Sequence, residues 1–250
     1  MNLVIAAAQS ASVAGDVRWN VAHHLRFAAL AAEHGAQLLV FPELSLTGYE
    51  LAIARWNTVC PDNPALDTLR QFATQAKMTV VAGAPLLNGK DELYIGALAF
   101  RPDGSVSTYT KVHVHESELH VFRPGPGGAP LLIGEATVAL AICADASHPQ
   151  HAARAAERGA NVYATGALVD VAGYARKAAL MGTYAREHKM AVLLANYSGA
   201  SGGLVSAGRS ALWSDDGQLV AACTGTEEAL LVGRKQAGTW SGSELCLLPA

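Results

Sequence analysis

The stretch Val138-Ala-Leu-Ala-Ile-Cys143-Ala-Asp-Ala-Ser-His-Pro149 constrains the fold more than any other part of the chain. Its apolar run predicts a buried strand. The small residues and Pro149 then mark a sharp turn into a helix, whose first turn does not need the N–H that proline lacks. That helix is expected over residues 150–158, stopping at Gly159. A thiol on such a turn is presented at a sheet edge, close to backbone N–H groups that favour its thiolate. The arrangement is that of a nucleophile elbow built on sulfur. Taken alone, the stretch favours an inert core cysteine, since free cysteine is among the most buried residue types. The rest of the chain decides between the two.

Strands and helices alternate along it. Residues 3–8 are apolar on both faces, as in the middle of a covered sheet. Asn20 is expected to cap a helix that ends at Gly35, followed by a strand at 38–41 that Pro42-Glu43 terminates. A helix at 65–76, a strand at 79–83 and a hairpin of 93–101 with 105–112 come next, the hairpin closed by Pro102-Asp103-Gly104. Beyond the elbow, strands are expected at 161–165, 191–195, 210–213, 219–222 and 229–234, with a helix around 176–188. The loop 123–130, rich in Pro and Gly, is neither helix nor interior strand. This order predicts α/β layers with helices covering sheets.

With 51% hydrophobic and 16% charged residues, the 250-residue chain has ample material for a large core, and its composition argues against disorder. No repeat or linker divides it, so residues 1–250 are read as one domain. A net charge of −3 gives no electrostatic case for nucleic acid or an anionic membrane surface. No apolar run approaches the ~20 residues of a transmembrane span. The opening Met-Asn-Leu-Val-Ile-Ala-Ala-Ala-Gln9 lacks a positive leader and is interrupted by Gln9, so it is read as a strand, not a signal peptide. Cys60, Cys143, Cys223 and Cys246 are scattered in a chain too large to need disulfides, which points to reduced thiols and the cytoplasm. Cys60, Cys223 and Cys246 are taken as ordinary apolar or surface residues, and His23, His24 and His34 as a solvated helix face.

Three predicted strand ends carry reactive groups. Glu43 closes the run Leu-Leu-Val-Phe-Pro, where burial raises a carboxylate's pKa; a backbone cap is the plainer role for it. Lys111 ends Val-Ser-Thr-Tyr-Thr-Lys, where a solvated rim lysine is the plainer reading. Cys143 is the third. Together they form a workable device: Glu43 accepts the thiol proton, Cys143 attacks a carbonyl or nitrile carbon, and Lys111 stabilises the oxyanion.

Phe41-Pro-Glu43-Leu-Ser-Leu-Thr-Gly-Tyr49, Tyr109-Thr-Lys111-Val-His113 and Ile142-Cys143-Ala-Asp145 stand in the order and spacing of the nitrilase (carbon–nitrogen hydrolase) superfamily, which the chain resembles in its amidase-like branch. Gln9, Gly15-Asp16, Asn20, the run Glu118-Leu-His-Val-Phe122-Arg-Pro-Gly125, residues 159–162, Asn196, Arg209-Ser210 and Asp216-Gly217 extend the resemblance along nearly the whole chain. It implies an α/β fold of the α-β-β-α four-layer sandwich type, no metal, no organic cofactor, and a homodimer or higher homo-oligomer. It also implies Glu43 as general acid/base, Lys111 as oxyanion stabiliser, Cys143 as nucleophile and Glu118 as a second glutamate that positions substrate and lysine. The backbone N–H of Ala144 would complete the oxyanion hole, and Tyr49 and Asn196 are carried over as substrate-side residues.

The chain departs from the family pattern at Ala144, Val114 and Ser147-His148-Pro149, all around the pocket and none a catalytic group. It is also short and lacks the insertions of many nitrilases. A small amide is therefore the expected substrate, with a nitrile or an N-carbamoyl compound as alternatives. Two rivals are weaker. The histidines and carboxylates of 111–120 invite a metal site, yet they do not form H-E-x-x-H. A binding or scaffold protein that kept the fold would be expected to have lost one of Glu43, Lys111, Glu118 and Cys143, and all four are present.

Overall fold

The computed structural model describes residues 2–247. Its first half runs β1 (Leu3–Gln9), α1 (Val17–Glu33), β2 (Leu38–Val40), α2 (Asp67–Ala76), β3 (Thr79–Leu87), β4 (Leu93–Phe100) and β5 (Val106–Thr110). Next come β6 (Leu131–Ile133), β7 (Ala136–Ile142), α3 (Pro149–Glu157), β8 (Val162–Ala167), α4 (Val171–His188) and β9 (Ala191–Asn196). The chain closes with the short β10 (Ala200–Ser201) and β11 (Leu204–Val205), then β12 (Ala211–Trp213), β13 (Leu219–Ala222), β14 (Ala229–Gln236) and β15 (Thr239–Cys246).

One sheet has the order β15-β14-β1-β2-β3-β4-β5 and the other β13-β12-β9-β8-β7-β6. The middle of each is parallel, β1-β2-β3 and β7-β8-β9, and the flanking pairs are antiparallel. Because side chains alternate across a strand, each sheet has two faces to cover. Ile5, Val40, Val81 and Ile95 point inward and meet Leu140, Val162, Leu193 and Leu212 of the other sheet. On the far face of the first sheet, Ala6, Leu39, Val80 and Leu98 pack under Phe27 and Ala31 of α1 and Leu69 and Ala73 of α2. On the far face of the second, Ala139, Ala141, Tyr163 and Val192 pack under Ala152 and Ala155 of α3 and Met181 and Tyr184 of α4. Each fully buried Leu, Ile or Val contributes about 1.5–3 kcal/mol, so the three apolar layers lock the stack. The result is the α-β-β-α four-layer sandwich.

Several sequence expectations shift in detail. The cap of α1 is Asp16, whose side chain accepts from the Trp19 N–H at 2.9 Å. Asn20 lies inside the helix, fully buried, and its side-chain amide binds both backbone polar groups of Val13 and the Leu46 carbonyl. It ties the loop before α1 to the segment after Glu43. Helix α4 begins five residues earlier than expected, capped by Asp170. Strands β6 and β15 were not expected; β15 pairs antiparallel with β14 despite its Ser- and Gly-rich sequence. His23 and His24 are buried, not solvated. His24 stacks on Phe41 and its Nε2 meets the Ser45 hydroxyl at 2.9 Å, while His23 Nε2 lies 2.6 Å from Glu228. Burial pulls the His24 pKa down to about 3, so this ring is neutral at pH 7. Cys223 is buried, whereas Cys60 and Cys246 are exposed. Among the described residues no helix is long and apolar enough to cross a membrane.

Candidate active site

The parallel centres of both sheets end on the same side, where loops carry Glu43, Lys111, Glu118 and Cys143 together. Glu43 leaves β2 and threads between the sheets because two glycines make room. A Cβ on Gly83 of β3 would sit 2.3 Å from Leu44 N, and one on Gly166 of β8 would sit 2.4 Å from the Phe41 carbonyl oxygen. Real Cβ atoms do not approach that closely, so a side chain at either position would displace the segment that aims Glu43.

Lys111 follows β5, its backbone N–H bonded to the Ile95 carbonyl at 2.8 Å. Glu118 sits on a single 3-10 turn, Glu116–Glu118, which His115 caps. Cys143 directly follows β7 with φ +42, a left-handed conformation that a residue with a Cβ adopts only when its surroundings enforce it. Asp145 is one enforcing group. Its buried carboxylate accepts from the Ile142 N–H at 3.0 Å, from the N–H groups of Val112 and His113 at 3.0 and 2.7 Å, and from the Tyr109 hydroxyl at 2.8 Å. It binds the cysteine turn to the residues just after Lys111. Asp145 thus supports the elbow through its hydrogen bonds. The turn itself is a 3-10 segment, Cys143–Ser147, so α3 starts at Pro149 rather than at the cysteine.

The ammonium of Lys111, with no exposure to solvent, donates to Glu43 Oε1 at 2.6 Å and to both oxygens of Glu118 at 2.8 and 2.7 Å. Glu118 also accepts from the Tyr49 hydroxyl and from the His115 N–H, each at 2.7 Å. Its position is therefore fixed from three sides. The second oxygen of Glu43 is buried and has no hydrogen-bond partner among the described residues. Burial, opposed by Lys111 and reinforced by Glu118, pushes the Glu43 carboxyl up to about 7. Burial and the charge of Glu43 push the Cys143 thiol up to about 12. Burial works against the charge of Lys111, but Glu43, Cys143 and Glu118 outweigh it and hold the lysine above its ordinary value. A carboxyl poised near neutrality beside a thiol and a permanent cation can move a proton and stabilise a new negative charge.

A cleft of about 640 Å³ opens onto Cys143. Tyr49, Glu118, Cys143 and Ala144 line it, with Lys177 and Arg176 of α4 opposite. Asn196 is not in its wall. The structure places this residue behind it, fully buried, with its side-chain amide bonded to both backbone groups of Val169 and to the Gly208 carbonyl. Asn196 thus holds the wall residue Val169 and does not face the cleft. The histidines of 111–120 do not converge. His113 stacks on His148, His115 caps the Glu118 turn, and His120 is exposed.

Lys177 was missed by sequence reasoning. The signal was available: Lys177, Met181, Tyr184 and Ala185 occupy one helical stripe, and a lysine in an otherwise apolar stripe needs a reason.

Residues 4–241 match the family model described as carbon-nitrogen hydrolase. A nitrilase of Pyrococcus abyssi is 32% identical over 203 residues, 79% of this chain and 76% of that protein. An (R)-stereoselective amidase of a Pseudomonas species is 32% identical over 200 residues, 78% and 72% of the two chains. Among solved structures, a cysteine-to-alanine mutant of the amidase from Nesterenkonia sp. AN1 in complex with butyramide superposes with a TM-score of 0.84 at 28% identity. The match covers 94% of this chain and 92% of that one.

Proposed function

The chain belongs to the carbon–nitrogen hydrolase family and is an enzyme of that class, and we propose that it hydrolyses the C–N bond of a small amide through a thioester on Cys143. Glu43 takes the thiol proton and the sulfur attacks the amide carbonyl. Lys111 and the Ala144 N–H hold the tetrahedral oxyanion, a type of contact whose loss typically costs about a hundred- to a thousandfold in rate. Protonated Glu43 then delivers its proton to the nitrogen as the C–N bond breaks, releasing ammonia or an amine. Water that gives a proton to Glu43 attacks the thioester, and the carboxylic acid leaves as Cys143 regains its proton. Glu118 keeps Lys111 in place, and Tyr49 keeps Glu118 in place.

The observation that carries this reading is the Lys111 ammonium clamped between two buried carboxylates, next to a cysteine on a left-handed turn that opens on a cleft. No step calls on a metal or an organic cofactor. The reading also takes residues 1–250 as one carbon–nitrogen hydrolase domain, a cytoplasmic location, and assembly as a homodimer or higher homo-oligomer. The common inter-sheet core, running from Leu3 to Leu231, supports the single domain.

The test is ammonia release by wild type and Cys143→Ala from a panel of small aliphatic amides, nitriles and N-carbamoyl amino acids. Release from amides by wild type alone is the expected result. Preference for nitriles or N-carbamoyl compounds would reassign the substrate while keeping the centre. Silence across the panel would favour a binding or scaffold protein that kept the fold.

A further inference from the structure

Lys177 is 9% exposed, yet among the described residues no carboxylate lies within ion-pair distance of it. Desolvating an ammonium with no counter-ion is costly, so a lysine retained in such a place has a negative charge to meet at some stage. Its two acceptors are neutral and both belong to the cysteine turn: the Cys143 carbonyl at 3.0 Å and the Ser147 hydroxyl. Helix α4 therefore reaches across the cleft and grips both ends of the Cys143–Ser147 segment through one side chain.

The charges facing the sulfur explain the arrangement. Glu43 and Glu118 lie on one side with Lys111 between them, and Tyr49 donates to Glu118. His115, Asp170 and Arg176 stand around the cleft, Asp145 lies beneath the turn, and His148 follows it. Of the inner group, two carboxylates and one ammonium leave one negative charge in excess when Glu43 is ionised. When Glu43 takes the thiol proton, that one excess negative charge passes to the sulfur. Lys177 is the buried cation that cancels it.

We infer that Lys177 is a positioning residue for Cys143: from α4 it braces the strained turn and supplies the counter-charge that makes the thiolate accessible. The inference rests on the proposed role of Cys143 as nucleophile, but its test needs no substrate. Burial holds the Lys177 pKa below its ordinary value against the opposing pull of the Cys143 thiolate, and the Lys177 charge in turn pulls the thiol down, so the two groups are linked as the geometry implies.

The experiment measures carbamidomethylation of Cys143 by iodoacetamide across about pH 7 to 12, a range carried upward because burial raises this thiol, and is read on the Cys143 peptide by mass spectrometry. The thiolate sulfur displaces iodide, so the rate follows the thiolate fraction. Wild type is compared with Lys177→Gln, which keeps amide N–H donors but removes the charge, and with Lys177→Arg, which keeps the charge. Lys177→Gln is expected to move the midpoint of the rate profile up by about one pH unit, a loss of about tenfold in rate below the midpoint, with Lys177→Arg close to wild type. A purely structural role would lower the rate without moving the midpoint. An unmoved midpoint in Lys177→Gln, or an equal shift in Lys177→Arg, overturns the inference. Lys177→Met, checked for folding by circular dichroism, serves if the Gln variant does not fold. A shifted midpoint together with no ammonia from any substrate would uphold the inference and count against the hydrolase reading alone.

Discussion

Glu118→Gln is the sharpest perturbation of the buried charge cluster, because the replacement has nearly the same shape and removes only charge and acceptor capacity. Glu118 Oε1 accepts from Lys111 and Tyr49, and Oε2 accepts from Lys111 and the His115 N–H. Whichever way the glutamine amide is turned, its NH2 faces two donors. Breaking one partner of a fully buried ion pair costs about 3–5 kcal/mol. That is a large share of a typical folding free energy of about 5–15 kcal/mol. Urea unfolding followed by tryptophan fluorescence is expected to show a midpoint lower by about 1–2 M. A second effect follows from charge. Glu118 raises the Glu43 pKa by like-charge repulsion, and its loss leaves Lys111 to Glu43 alone. The acid limb of kcat/KM in the variant therefore moves to lower pH than in wild type. An unchanged urea midpoint together with an unmoved acid limb would refute the claim that Glu118 is held as a charged partner of Lys111.

Glu43 gives the pH signature of the wild type. With its pKa raised by burial to about 7, activity is expected to rise with pH through neutrality, well above the ordinary carboxylate range, and Glu43→Gln to abolish turnover. Between the unfolded value of 4.5 and the folded value of about 7 the native state binds the extra proton, so this group's contribution to stability falls as pH rises through that window. Denaturation midpoints of Glu43→Gln are expected to vary less over the same range. Gly166→Ala places a Cβ 2.4 Å from the Phe41 carbonyl oxygen and is expected to cost about 1–3 kcal/mol and to lower kcat by moving Glu43. Gly89→Ala, with open space around it, is the control and stays within about 0.5 kcal/mol of wild type. Equal thermal midpoints for the two alanine variants would contradict the threading of Glu43 between the sheets.

What the sequence could reveal depended on how local the controlling interaction is. Strand β7, the cysteine turn and Pro149 at the start of α3 lie within the stretch 136–149, and their order was readable from hydrophobicity and proline alone. Most other strands were found the same way. The fate of His23 and His24 was not, because their partners, Glu228 and the Ser45–Phe41 segment, come from elsewhere in the chain. Gly83 and Gly166 sit in strands that read as ordinary, and only the crossing of the 41–44 segment gives them a purpose. Strand β15 carries too few apolar residues to announce itself and is held at the sheet edge by its ladder with β14. In the candidate site, Glu43, Lys111, Glu118 and Cys143 were found by motif and brought together by the fold. Asn196 was placed in the cleft by resemblance and lies behind its wall. Lys177 belongs to none of these motifs, and its importance rests on burial without a counter-ion among the described residues.

The central claim is that Cys143 carries the acyl group between two half-reactions. Rapid-quench intact-mass measurement during turnover of a small amide tests it most directly. The account predicts a species heavier by one acyl group, mapped by peptide mass to Cys143, formed as ammonia is released and lost as the carboxylic acid appears. Full turnover by Cys143→Ala, or steady ammonia release from wild type with Cys143 unmodified at every quench time, would contradict it.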